Sequence, residues 1–190
     1  MDLQKLNIKF FVAPPDGVPL SEFIDVFHRW IQAGDGEYHD VADYSHMQAG
    51  PGIVLIADGA NVSIDETESR RGLLFSQKRH LSGSNHEKLR SVVGAALENC
   101  RKLEAEPALR GKLRFAVNEA VIWVNDRLSG TNSEASFQEL KHEIEPFAKQ
   151  LYGDAALSLE RDSDPRIRLH VRIKSSAALD LNTLWHNLHN

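Results

Sequence analysis

The sequence predicts an α+β protein in which mixed or mostly antiparallel sheets carry about four helices, in the order β-α-β-β-β-α-β-β-α-β-β-α. Three observations lead there. Apolar residues alternate with period two in short runs such as Leu6, Ile8, Phe10 and Val12, and recur at spacings of three and four in longer ones such as Leu89, Val92, Val93, Ala96, Cys100 and Leu103. Consecutive strand runs are joined by short links, few of them long enough for the crossover that parallel pairing requires. The composition, 42% hydrophobic and 26% charged over 190 residues, is that of an ordinary folded chain.

Leu6 to Val12 reads as a half-buried strand, stopped by Pro14-Pro15-Asp16-Gly17. Ser21 is placed to cap a helix whose Phe23, Val26, Phe27, Trp30 and Ile31 form one face, with Gly34 as its stop. Neither period holds from Gly34 to Gly50, so that segment is predicted to be a loop. Ile53 to Ile56, between Gly52 and Asp58-Gly59, reads as a central strand; Val62 with Ile64, and Leu73 to Ser76, complete a meander. Ser84 and Glu87 form a capping box ahead of a helix that Pro107 closes. Residues 112–124 read as a hairpin about Asn118-Glu119.

Thr131 and Glu134 suggest a second capping box before the stripe Phe137, Leu140, Ile144, Phe147, Leu151, in which Pro146 predicts a kink or break. Leu157 and Leu159 are expected to pair with Leu169 and Val171 so that Leu159 opposes Leu169 and Glu160 opposes Arg168. Asp180 caps a short terminal helix whose Leu181, Leu184, Trp185 and Leu188 must dock on the chain itself or on a second copy. The Glu104 to Pro107 stretch divides an N-terminal lobe, 1–108, from a C-terminal lobe, 109–190, expected to pack together as one unit.

Charge and composition exclude several function classes. With 22 basic and 27 acidic residues the formal net charge is −5, and the single cysteine rules out an internal disulfide. The longest uncharged apolar run, Gly52 to Ala57, falls far short of the ~20 residues of a membrane span. A cytoplasmic protein without membrane association is expected, as a monomer or homodimer. Arg166, Arg168, His170, Arg172 and Lys174 line one strand face, but the face has no stacking aromatics and the pI is about 6.0, so no nucleic-acid partner is expected.

The 34–51 segment holds the densest set of reactive side chains. His39, Asp43 and His46 stand four and three apart, so helical turns would bring two imidazoles and a carboxylate to one face, a ligand set suited to zinc or iron. A surface loop in which Asp43 caps a turn accounts for the same residues. No nucleophile elbow, P-loop or dinucleotide spacing occurs, and Cys100 lies on an apolar stripe as an inert thiol.

The blocks Phe27 to Gln32, Asp40 to His46, Gly50-Pro51-Gly52 and Gly72-Leu73-Leu74 resemble a family of small bacterial proteins of uncharacterised function, over about the first 75 residues. The resemblance implies no activity, and it directs attention to the same loop. The leading expectation is therefore a non-catalytic protein that binds a partner protein or small ligand through the 34–51 loop, without a cofactor. His28, Asp40, Tyr44 and His46 are the expected pocket residues, in a pocket formed where the loop packs on the preceding helix and the Ile53–Ala57 strand. The alternative is a small metal-dependent enzyme with His39, Asp43 and His46 as ligands and His28 or Asp40 as supporting group or general base.

Overall fold

A computed structural model describes residues 1–34, 36–47, 50–125, 131–164 and 166–190. Among these lie eight strands, β1 (Leu6–Val12), β2 (Tyr38–Asp43), β3 (Ile53–Ala57), β4 (Ala60–Asp65), β5 (Gly72–Gln77), β6 (Phe115–Val124), β7 (Leu157–Glu160) and β8 (His170–Ser175). The four helices are α1 (Leu20–Ala33), α2 (Asn85–Ala105), α3 (Glu134–Tyr152) and α4 (Leu181–His189). All strands join one antiparallel sheet in the order β2-β3-β4-β5-β1-β6-β8-β7. The protein is α+β, as its hydrophobic periods predict.

Period-two alternation decides which face of this sheet is covered. Ile8 opposes Phe75 and Ile122, Phe75 opposes Val62, Val62 opposes Leu55, and Ile122 opposes Val171. This apolar row and its neighbours join the buried faces of all four helices in one core. α1 lies over β2 and β3, α2 over β1 and β5, and α3 over β8 and β7, while α4 docks on α2 and α3. Asn7, Lys9 and Phe11 point to the opposite, helix-free face.

Two elements lie elsewhere than the alternation alone suggests. Residues 38–43 form a strand within the expected loop, pairing with β3 at the edge of the sheet; a bulge between Tyr38 and Asp40 and half-exposed side chains erase its period. The expected hairpin at 112–124 is one ten-residue strand, β6. Its register against β1 jumps from Phe10↔Ala120 to Phe11↔Ala116, so Val117, Asn118 and Glu119 bulge where a turn was read. The carbonyl of Val117, released from β1, accepts the Tyr152 hydroxyl at 2.9 Å.

Smaller corrections have local causes. α1 begins two residues early, at Leu20 with Pro19 in the cap position, so Ser21 lies inside the first turn. Ser133 rather than Thr131 caps α3, its hydroxyl accepting the Ser136 N–H. α3 runs unbroken through Pro146 because Phe147, Ala148 and Leu151 beyond it are held in the core. Leu159 opposes Ile173 and Glu160 opposes Arg172, four residues from the expected register. An even shift leaves every side chain on its face, which is why alternation cannot detect it. In the longer loop that results, the Asn132 amide donates to the carbonyls of Asp162 and Asp164.

Gly52 explains the Gly50-Pro51-Gly52 block. Its φ is +66°, and a Cβ there would lie 2.0 Å from the Ile64 carbonyl oxygen, so the return from β2 into β3 passes too close to β4 for any side chain.

Candidate functional site

β2, within the 34–51 segment, packs on α1 and on β3, and residues 36–38 line a groove of about 520 Å³. Its floor is the sheet at Val62 and Phe75. One wall is α2, through Ala95, Glu98, Asn99 and Lys102; the other is Tyr38 with the β3–β4 turn at Asp58-Gly59. Tyr38 is oriented by Trp30, whose ring lies 6.3 Å away and whose Nε1–H donates to Glu106 at 2.5 Å. That bond ties α1 to the end of α2.

The groove combines apolar and charged groups. Asn99 is only 6% exposed; its amide donates to the Ala95 carbonyl, and its Oδ1 has no hydrogen-bond partner. Burial, together with Glu37 and Glu98, pushes the Tyr38 hydroxyl up to about 12, so it stays protonated. Arg79 pairs with Asp58 at 3.2 Å and Lys102 with Glu98 at 3.5 Å, which leaves the two cations of the rim engaged.

The expected pocket residues are not brought together. His28 is exposed on α1, His46 is exposed beyond β2, and Tyr44 is 39% exposed. Asp40 accepts the N–H of Val41 beside it. The three candidate metal ligands also part. His39 sits at the β2 bulge and bonds Asp58 at 2.7 Å, while Asp43 accepts the Ser45 N–H, and that residue's hydrogen bonds hold its carboxyl below the usual range. An extended strand carries His39 and Asp43 where helical turns would have converged them with His46. Among the described residues no group of three or more His, Cys, Asp or Glu is placed to hold a metal ion.

Comparison with known proteins finds no matching family model, curated protein or solved structure. The site therefore has to be read from its own geometry. Tyr38, Glu98, Asn99 and Lys102 were not anticipated from the sequence, although one signal was present: Asn99 stands on the α2 stripe between Ala96 and Leu103, a polar residue at a core spacing.

A second polar region lies on the helix-free face. Lys9 and Asp65, each 2% exposed, pair at 2.5 Å, and Asp65 also accepts the Thr67 hydroxyl. Burial lowers the Lys9 ammonium, with Asp65 opposing the effect. Arg70 makes a bidentate pair with Glu119 at 2.8 and 2.9 Å and lies over the Phe11 ring. Arg172 of the basic stripe bonds Glu119 and Glu68, Lys174 bonds Glu160, and Arg166 bonds Asp164. His170 is buried, its Nδ1 2.9 Å from the Arg168 carbonyl and its Nε2 accepting the Asp162 N–H; this pattern fits the tautomer protonated on Nδ1. Cys100 is fully buried, and burial raises its thiol well above the usual range. No helix among the described residues is long and apolar enough to cross a membrane.

Proposed function

We propose that the protein is a non-catalytic, cytoplasmic binding module that takes a small ligand into the groove between α2 and the β2–β5 edge of the sheet. Residues 36–38 supply the part of the 34–51 segment that meets the ligand. The observation that carries this reading is the groove itself, in which Tyr38 and the α2 residues Ala95 and Lys102 line a concavity together with the apolar sheet residues Val62 and Phe75. The apolar floor at Val62 and Phe75 and the volume of about 520 Å³ suit a compact organic ligand.

A fragment library followed by amide chemical shifts tests the proposal. Shifts should cluster on Tyr38, Val62, Phe75, Ala95 and Asn99, and Ala95→Trp, which fills the groove from the half-exposed side of α2, should abolish them while the protein stays folded. Binding that maps instead to Tyr44 and His46, or that survives Ala95→Trp, would overturn it.

A further inference from the structure

We infer that residues 66–71, which join β4 to β5, are a strap latched over the helix-free face of the sheet, and that its tip lifts to uncover Lys9 and Asp65 while the core stays folded. One observation is backbone strain. Within the 3-10 turn Thr67–Ser69, Glu68 and Ser69 take φ of +61° and +54°. Two successive side chains are crowded against their own backbone there, so the turn persists only where contacts from outside hold it.

Those contacts come from three strands. Lys9 of β1 donates to the Thr67 carbonyl at 3.2 Å, and Arg172 of β8 donates to Glu68 at 2.8 Å. Glu119 of β6 accepts from Arg70 and, through Oε1, from Arg172 as well, so it fixes the tip of the strap to the sheet. The Arg70 guanidinium lies 3.8 Å from the centre of the Phe11 ring, which is 2% exposed. The base is fastened separately. Arg71 pairs with Glu66 at 2.6 Å and Asp16 at 2.9 Å, and its carbonyl accepts the Val12 N–H. Motion is thereby confined to residues 67–70. The latch is the weaker fastening, because the Glu68 and Arg70 side chains are 52% and 45% exposed and ion pairs open to water hold little. Lifting the tip relieves the strain, leaves the Arg172–Glu119 pair within the sheet intact, and gives solvent access to a lysine that is 2% exposed when the strap is closed.

Acylation of Lys9 by an amine-reactive reagent, read by mass spectrometry on the full chain, tests this. Exposed Lys112 serves as the internal reference, and amide exchange at Ile8 and Ile122 reports on the core. Glu68→Gln should raise Lys9 labelling about two- to fivefold, and Glu119→Gln about five- to tenfold, with smaller factors at Ile8 and Ile122. Ser69→Gly removes strain and none of the contacts above, so it should slow labelling about threefold. Labelling that is unchanged in both glutamine variants, or that rises only in step with Ile8 and Ile122 exchange, overturns the strap. Unchanged or faster labelling in Ser69→Gly overturns the role of strain in opening it.

Discussion

Lys9 illustrates how a residue's place in a pattern and its energetic role can separate. Alternation assigns it to the polar face of β1, yet it is buried there against Asp65, 56 positions away. Breaking one side of such a pair strands the other charge, which costs about 3–5 kcal/mol. Lys9→Met and Asp65→Asn should each lose about that much in urea unfolding, and the double variant should lose clearly less than the sum; additive losses would refute the coupling. Glu119 provides a pH signature. Arg70 holds its carboxyl down to about 2, against the effect of burial and with Arg172 assisting, whereas an unfolded glutamate titrates near about 4.3. A depressed folded-state value stabilises above the unfolded value and is lost on acidification. Stability should therefore fall between about pH 4.5 and pH 2, with a shallower fall in Glu119→Gln.

At the scale of elements, the helices were legible wherever start signals and apolar stripes coincide. In α2, Ser84 accepts the Glu87 N–H while Glu87 accepts the Ser84 N–H. Ser84→Ala should cost about 1 kcal/mol, lowering Tm by roughly 2–4 °C for a chain of this size. α4 docks on its own chain, with Leu184 fully buried and Gly94 of α2 meeting Leu188. Leu184→Ala should lose about 2–5 kcal/mol through the cavity it leaves, a loss readable in the same unfolding assay. The strands were less legible. β2 is an exposed edge with a bulge, so its apolar signal is diluted, and the β6 bulge imitates a turn because both interrupt alternation with polar residues.

The whole molecule is organised by the β1–β6 ladder at the middle of the sheet, which joins residues on either side of the 108/109 division, as does the packing of α2 on α3 and α4. A fragment of residues 1–108 would leave a bare β1 edge and an uncovered α2 face. It should show poor amide dispersion and no cooperative unfolding; a folded fragment would contradict this. The same long-range pairing bears on the basic stripe, since Arg172, Lys174 and Arg166 are neutralised by carboxylates from three other parts of the chain or from their own loop. With a net charge of −5, no retention on duplex DNA is expected near physiological salt, where phosphate contacts must outcompete counterions.

The sequence by itself determined the α+β class, the inward face of β1, β3 and β8, the α2 capping box and the docking face of α4, because each depends on residues within one or two turns or a few strand positions. Tertiary structure decided the rest. Strand order, the four-residue register shift of β7 on β8 and the pairing of Lys9 with Asp65 join positions whose separation leaves no local period. The candidate site belongs to this second kind. The 34–51 segment was singled out by its histidines, but His39 on β2 and His46 on the turn after it are both exposed, and of the segment's described residues 36–38 are the ones that line the groove. Their counterparts, Val62, Phe75 and Asn99, come from β4, β5 and α2. Such a cavity is defined by surfaces that meet only when the sheet is complete, so no local spacing could encode it.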